Sequence, residues 1–283
     1  GPASRDELYA FMVDDLQKAA VDIADAYQGN ERTRPNRKAV DALLARVYLY
    51  HGDWANAEAM ADKVIADNRY ELSRDLNTVF LKTSKEAIWQ LQTVNLSTAG
   101  VNTWEGFSIV PAVATARSYY QVYDATVAAY EENDLRKAMW LKPYLVSNKT
   151  LYMPYKYKVR TGAPVTEYNT VLRLAEQYLI RAEARLNQNK LPAALQDLNQ
   201  IRERAGLAAL PQTMDKASIA LALEKERQLE LLGEWGHRWF DLVRTNRALP
   251  VLSKIKTDFI ESDTKIPISS AILITNANLQ QND

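Results

Sequence analysis

The sequence predicts an all-α, mainly helical fold, in which tetratricopeptide-type helix pairs carry an irregular, loop-rich insert. Apolar residues recur at three- and four-residue steps through most of 4–66 and 172–246, which is the period of amphipathic helices. Half of the 26 aromatic residues lie in 89–168, although that segment is little more than a quarter of the 283 residues. These two observations separate a helical scaffold from an aromatic-rich insert.

The first predicted helix begins after Ser4, whose spacing from Glu7 is typical of a capping box. Its apolar positions continue to Tyr27, and Gly29 ends the pattern. A break at Arg34-Pro35-Asn36 separates it from the next helix.

The next two predicted helices, over 37–51 and 54–66, are joined by a turn at Gly52. Small residues, among them Ala45 and Ala57, lie where two helices must approach closely, as in a tetratricopeptide unit. A second predicted pair spans 172–189 and 191–205. The two pairs overlay when the first is shifted by 137 residues, so that Ala45 falls on Ala182 and Leu49 on Leu186. About 100 residues lie between them, whereas the units of a solenoid follow one another directly.

The insert has weaker signals. The alternation in 86–93 favours a short strand. Residues 95–111 contain the Gly, Asn, Ser and Thr residues that are typical of a loop, and 116–130 is compatible with a helix. Trp140 and Tyr144 flank a predicted turn at Pro143, and 145–166 is polar and broken by Pro and Gly.

Two further helices are predicted over 216–232 and 235–246, and the tail 251–283 is expected to be extended or irregular. No apolar run is long enough to predict a membrane span. The chain opens with Gly1-Pro2, a pair that a cleaved tag can leave. We therefore expect the natural N-terminal part, with any targeting segment, to be missing.

Composition excludes several function classes. The charges of the 35 basic and 35 acidic residues cancel, so the chain lacks the excess positive charge that is typical of a nucleic-acid-binding protein. Without Cys there is no thiol nucleophile or Cys-based zinc site, and His51 and His237 are too few and too distant for a His-rich metal site. No glycine-rich phosphate loop occurs. We therefore expect no metal, no cofactor and no nucleic-acid partner.

The chain also contains no recognisable catalytic motif, and we predict no catalytic residue. Glu224, Glu226 and Glu230 fall near one helix face with Arg227 among them, which favours an ion-pair ladder over acid–base catalysis. In 238–244, Arg, Asp and Arg at three-residue steps favour a charged network tied to Glu226 or Glu230, with His237 as a packing residue. A hydrolase that uses such carboxylates for catalysis remains an alternative hypothesis.

The aromatic-rich insert is the better functional candidate. Of the 26 aromatic residues, 15 are Tyr and 6 are Trp, so most rings have an apolar face and a polar group. Sugars present flat C–H faces edged by hydroxyl groups, which such rings and nearby polar side chains suit. From composition we predict five glycan-binding residues: Trp104, Tyr119, Tyr120, Trp140 and Tyr155.

Six ordered motifs give the chain a resemblance to a known family. They include VLRLAEQYLIRAEA in the second helix pair and HRWFDLVRT in the predicted helix over 235–246. The motifs lie at residues 34–72, 86–92, 133–137, 171–207, 219–245 and 267–282. The chain resembles the C-terminal portion of the SusD-like (RagB/SusD) proteins, which are lipid-anchored nutrient-binding proteins of Bacteroidota. Trp235 and Ser269 are local departures from the pattern.

The resemblance implies one SusD-like domain over 1–283 that lacks its N-terminal part. We assign the helical scaffold to 4–85 and 168–250, the insert to 86–167 and the tail to 251–283. It implies a non-enzymatic protein of the outer-membrane surface, held by a lipid anchor absent from this chain. Such a protein would capture an oligosaccharide or polysaccharide and deliver it to a SusC-like TonB-dependent transporter.

One alternative function remains open. The helix pairs, rather than the insert, would then form the working surface of a tetratricopeptide-type protein- or peptide-interaction module. Such modules often clamp peptide carboxylates with basic residues on a concave face. The sequence shows no such stripe of Lys and Arg.

Overall fold

Helices dominate the computed structural model, which describes residues 4–94, 101–113 and 116–281. The helices in this part of the chain are α1 Arg5–Asp22, α2 Arg37–His51, α3 Trp54–Ile65, α4 Trp104–Ile109, α5 Asp124–Ala129, α6 Leu135–Trp140, α7 Leu174–Asn187, α8 Leu191–Arg204, α9 Lys216–Glu230, α10 His237–Arg244, α11 Ala248–Leu252 and α12 Ser270–Thr275. The strands are β1 Ala87–Leu91, β2 Leu141–Val146, β3 Lys149–Pro154 and β4 Asn169–Arg173. The predicted mainly α-helical class is confirmed.

The N-terminal helices follow their local signals. The Ser4 hydroxyl accepts a hydrogen bond from the backbone N–H of Glu7, and the Glu7 carboxylate accepts one from the backbone N–H of Ser4, so the predicted capping box is present. α1 ends at Asp22, earlier than predicted, because Ile23 is extended. α2 has the predicted bounds, and Gly52 ends it with φ of +90°, a left-handed conformation that glycine adopts without strain.

The core is built by the two helix pairs packing on each other. Ala45, Ala57 and Ala61 are fully buried where α2, α3 and α7 meet, which confirms the predicted close approach. A second apolar cluster joins α7, α8 and α9 through residues such as Leu179 and Leu198. α1 packs on α2 with half-buried side chains and buries none completely.

Two small antiparallel sheets complete the middle of the chain. β1, predicted from its alternation, pairs with β4, a strand that the sequence does not predict. α7 therefore begins at Leu174 and not at Leu172. β2 and β3 form a hairpin where a turn at Pro143 and an irregular segment were predicted. The hairpin turns at Ser147 and Asn148, whose positive φ angles match the two-residue turns that join twisted strands.

Other segments also differ from the predictions. α4 lies in the segment predicted as a loop, of which 95–100 are outside the described residues. The helix predicted over 116–130 is only the short α5, and the tail holds α11, α12 and a 3-10 turn at Glu261–Thr264. Within the described residues, no helix has the length and apolar character that crossing a bilayer requires.

A buried ionic cluster joins the insert to the scaffold. It consists of Arg136, Arg173, Arg204, Glu86 and Glu230, all nearly or fully buried. Arg173 lies 2.6 Å from the Glu230 carboxylate and 2.9 Å from that of Glu86, and Arg204 lies 2.7 Å from Glu86. Burial alone would raise the pKa of Glu230, but the charges of Arg204, Arg173 and Arg136 outweigh it and hold that pKa well below its usual range.

Candidate functional site

The first part of the candidate site is α4, which presents Trp104 to solvent. The side-chain oxygen of Thr103 accepts the backbone N–H of Gly106 at 3.0 Å and so caps the helix. Trp104 is 54% exposed, and its ring meets the ring of Phe107 edge-on, with centroids 5.6 Å apart. An exposed indole is therefore held on an ordered turn by its neighbour three residues later.

α4 is fixed to the segment that follows the hairpin. A Cβ on Gly106 would lie 2.5 Å from the carbonyl oxygen of Val159, so only glycine allows this close approach. The Arg160 guanidinium lies over the Phe107 ring at 4.2 Å and donates hydrogen bonds to the carbonyl oxygens of Phe107 and Val110. These contacts hold the last turn of α4, and with it the orientation of Trp104.

The second part is the irregular segment 116–123, in which buried residues anchor the backbone and exposed residues present aromatic rings. Ser118 is buried and donates to the carbonyl of Ile109 at 2.8 Å, which ties the segment to the end of α4. Val122 is buried and its N–H bonds the carbonyl of Tyr152 in β3 at 2.8 Å. Between these two anchors, Tyr119 is 92% exposed and Tyr120 is 52% exposed.

We call Trp104, Tyr119, Tyr120 and Tyr123 the aromatic surface; Tyr123 also lies largely in solvent. All four rings extend from backbone that buried neighbours hold in place. Three of the five predicted site residues belong to it. Phe107 and Arg160 support the surface but were not predicted as site residues. For Phe107, the available sequence signals are the Thr103 cap and the three-residue spacing from Trp104.

Tyr155, another predicted site residue, has different neighbours. It is half-buried at the end of β3, and the ammonium groups of Lys142 and Lys158 lie 4.9 Å and 5.5 Å from its ring centroid. Burial lowers the pKa of Lys158. The ring is thus flanked by cations, an arrangement unlike that of the aromatic surface.

The prediction that Trp140 binds ligand is wrong. Its side chain is 1% exposed, its indole N–H donates to the carbonyl of Leu76 at 3.0 Å, and it packs edge-on against Phe80. The cationic groups of Lys156 and Arg173 lie within 6 Å of its ring. Burial lowers the pKa of Lys156 to about 8, although the charge of Glu234 opposes that shift. Trp140 is therefore part of the core, where no ligand can reach its face.

The carboxylates considered for catalysis have structural partners. Glu226 and Glu230 contact Arg136 in the buried interior, and Glu224 lies 2.9 Å from Arg247, which agrees with an ion-pair role. The partners predicted for the charged network in α10 are wrong. Its Asp241 pairs with Arg227 at 2.7 Å, and its two arginines pair with Glu224 and Glu183.

His237 is buried, as predicted, and lies 3.3 Å from the Tyr50 hydroxyl. In the described part of the chain, no group of three His, Asp or Glu side chains is placed to hold a metal ion.

Sequence comparisons connect this chain to proteins of one family. A family model described as the SusD family matches residues 142–282. SusD-like protein P38 of Formosa agariphila is 38% identical over 137 residues, which are 44% of this chain and 26% of that protein. SusD-like protein P25 of the same organism is 23% identical over an alignment that covers all of this chain and 65% of that protein. The chain thus spans less than two thirds of each relative.

Solved structures share the fold. A SusD superfamily protein from Bacteroides vulgatus is 27% identical, with a TM-score of 0.71 over 98% of this chain and 65% of the other. Surface glycan-binding protein A from Bacteroides thetaiotaomicron, solved in complex with laminarihexaose, is 22% identical, with a TM-score of 0.77 over 98% of this chain and 70% of the other. The family match thus assigns residues 142–282, just under half of this chain, to the SusD family, and the chain shares the fold of SusD superfamily structures.

Proposed function

We propose that this protein binds an oligosaccharide or polysaccharide at the cell surface through the aromatic surface. The observation that carries the proposal is the set of exposed Trp and Tyr rings on an anchored backbone. A member of the same fold family is a surface glycan-binding protein with a bound laminarihexaose, which supports sugar as the ligand class.

The proposed mechanism is stacking on rings that are already in position. Trp104 and Tyr120 offer apolar faces to the C–H faces of a sugar ring, and the Tyr hydroxyl groups are available to the sugar hydroxyls. Because Arg160, Ser118 and Val122 hold the backbone beneath these rings, binding orders little further chain. The ligand interactions therefore lose less free energy to conformational entropy than they would on a free loop.

The proposal extends to the place and the partner of the protein. We infer a lipid-anchored protein of the outer membrane that hands its ligand to a SusC-like TonB-dependent transporter and does not itself cleave the glycan. The SusD family match supports the setting. Incubating the protein with a glycan that it binds should leave the chain-length distribution of that glycan unchanged.

Calorimetric titration tests the glycan proposal. Purified protein is titrated with laminarihexaose and with a panel of soluble plant, algal and host polysaccharides. We expect saturable binding to at least one glycan, and a loss of about 1–3 kcal/mol of binding free energy in Trp104→Ala, by analogy with base stacking on aromatic side chains.

Phe11→Ala is the matched control, because Phe11 is an equally exposed ring on α1 and lies outside the aromatic surface. Equal affinities in Trp104→Ala, Tyr120→Ala and Phe11→Ala would remove the aromatic surface as the binding site. Failure of the folded protein to bind any glycan in the panel would contradict the sugar proposal itself.

A further inference from the structure

Tyr155 and two lysines form a cationic site that the aromatic surface does not include. The ammonium groups of Lys142 and Lys158 lie 4.9 Å and 5.5 Å from the centroid of the Tyr155 ring. All three side chains are half-buried, so a ligand can still reach them. The two like charges repel each other, and the negative face of the ring offsets that repulsion, which keeps both ammonium groups close to one ring. We call these three residues the cationic site.

Neither lysine is neutralised by a carboxylate in direct contact. Among the residues that the structure describes, Lys142 forms no ion pair, and the Lys158 ammonium donates to the side-chain oxygen of Asn77. Glu167 and Asp75 attract Lys158 only from a longer distance. Both carboxylates have other partners: Glu167 accepts two backbone N–H groups at 2.8 Å and 3.1 Å, and Asp75 accepts two N–H groups of Asn77 at 2.9 Å and 3.0 Å. An anionic ligand group therefore meets no competing carboxylate in contact with either ammonium group.

The cationic site lies between the two anchors of the aromatic surface. The carbonyl oxygen of Tyr152 accepts the N–H of Val122 at 2.8 Å, and that of Val159 lies against Gly106 in α4. Tyr155 comes between these two anchors along the same segment. Because a chain spans at most about 3.3–3.6 Å per residue, the Cα atoms of both anchors lie within about 14 Å of that of Tyr155. A short oligosaccharide is long enough to contact the cationic site and the aromatic surface together.

The chemistry of the cationic site favours a charged ligand group over a neutral one. Each ammonium group offers hydrogen-bond donors and no acceptor. A hydrogen bond between an ammonium group and an ionised oxygen is roughly twice as strong as one between neutral groups. Salt screens such an interaction less at a half-buried position than at a fully exposed one. Sugars carry ionised oxygens as the carboxylate of a uronic acid or as a sulfate ester, and the site suits both.

We propose that the ligand of this protein is an acidic glycan. Its carboxylate or sulfate group binds the ammonium groups of Lys142 and Lys158, while neighbouring sugar rings stack on the aromatic surface. This inference rests on the proposed function and names the class of glycan. The two basic residues come from β2 and from the segment after β3, which only the fold brings to one ring.

Paired titrations test the class of glycan. The panel contains oligosaccharides of alginate, polygalacturonate, hyaluronate, chondroitin sulfate and carrageenan, each with a neutral counterpart whose carboxylates are reduced to hydroxymethyl groups and whose sulfates are removed. We expect at least one acidic oligosaccharide to bind about tenfold more tightly than its counterpart. Its affinity should weaken as salt is raised, whereas that of the counterpart should not. Binding of the uronates alone would identify a carboxylate, and binding of the sulfated members alone a sulfate ester; either result supports the proposal.

Charge-neutralising variants locate the acidic group. Lys142→Gln and Lys158→Gln should each weaken binding of the acidic oligosaccharide by about fivefold, whereas Lys63→Gln, which removes an exposed lysine of α3, should not. Lys142→Arg keeps the charge and should retain most of the affinity. The neutral counterpart should bind the wild type and all the lysine variants equally. Trp104→Ala should weaken binding of both forms, because stacking does not depend on the charge.

The outcomes separate this inference from the glycan proposal. Equal affinity for the acidic and neutral forms across the panel would overturn the inference, and would leave the glycan proposal intact if Trp104→Ala still weakens binding. Equal affinities in Lys142→Gln, Lys158→Gln and Lys63→Gln would place the acidic group elsewhere and overturn it as well. So would full competition by poly-L-glutamate at the same concentration of carboxylate, because the site would then bind any polyanion. Failure of the folded protein to bind either form of any panel member would contradict the glycan proposal and, with it, this inference.

Discussion

Trp104 and Trp140 belong to the same aromatic-rich insert, yet one lies in solvent and the other in the core. Trp140 is enclosed by Phe80, Leu76 and the cationic side chains of the interior, whereas Trp104 is 54% exposed and meets the ring of Phe107 edge-on. An excess of aromatic residues therefore marks a region in which both the core and the surface depend on rings. The difference teaches that composition finds the region, and packing decides which of its rings can meet a ligand.

The largest expected effect is in the buried ionic cluster beneath Trp140. Glu230→Ala would leave Arg173, Arg204 and Arg136 without their common carboxylate in a site closed to water. Breaking a buried pair in this way costs about 3–5 kcal/mol of unfolding free energy, although each of the three arginines keeps a second carboxylate, Glu86 or Glu226. Urea denaturation measures the loss. A loss below about 1 kcal/mol would show that water or rearranged partners stabilise the arginines.

Trp140→Ala tests the buried side of the comparison directly. Removing the indole leaves a cavity between Phe80 and Tyr157 and should cost about 3–4 kcal/mol of unfolding free energy. The variant that remains folded should bind glycan with unchanged affinity. A drop in affinity at full stability would return Trp140 to the binding site and break the comparison.

His237 provides a pH-dependent test of the scaffold interior. Burial, together with the charges of Arg46 and Arg227, lowers its pKa from 6.5 to about 4, although Glu176 and Glu234 oppose the shift. Between pH 6.5 and 4, His237 is therefore protonated in the unfolded chain but neutral in the folded chain. The unfolding free energy falls as the pH is lowered through this window.

His237→Gln removes this contribution to the pH dependence. Between pH 7 and 4 the unfolding free energy of the variant should therefore fall by about 2–3 kcal/mol less than that of the wild type. Denaturation midpoints at several pH values measure it. His51→Gln, which changes the other histidine at an exposed position, should follow the wild type. Parallel curves for all three proteins would contradict a buried neutral His237.

The smallest stability effect is expected on the exposed side. Trp104→Ala and Tyr119→Ala should each change the unfolding free energy by less than about 0.5 kcal/mol, since substitutions of exposed side chains rarely cost more. Thermal denaturation checks this before any glycan titration. A loss above about 2 kcal/mol would mean that these rings pack against the protein, and would remove the contrast with Trp140.

The scaffold was largely predictable because its signals are local. The helix caps at Ser4 and Gly52, the apolar period and the small residues at Ala45 and Ala57 act within a few turns of chain, and α2 has the predicted bounds. The pairing of β1 with β4 joins residues about 80 apart, and no local pattern encodes it.

The candidate site was harder to predict for the same reason. The burial of Trp140 depends on contacts with Leu76 and Phe80, which are distant in sequence. The anchoring of Trp104 depends on Arg160 and Val159 in the same way. Composition selects ring-rich segments, and only the long-range packing separates the rings that line a surface from those that fill the interior.

The pairing of β1 with β4 has a consequence for how this protein can change. The two strands bring the ends of the intervening segment together, and Arg173 reaches Glu86 across that base at 2.9 Å. The ends are thus fixed by the scaffold, and closing a longer or shorter loop on them costs only about 0.6 kcal/mol for each doubling of length. Changes of length are therefore tolerated best in the solvent-facing turns of this segment, such as that at Ser147 and Asn148, whereas Arg136 and Trp140 must keep their buried contacts with the scaffold.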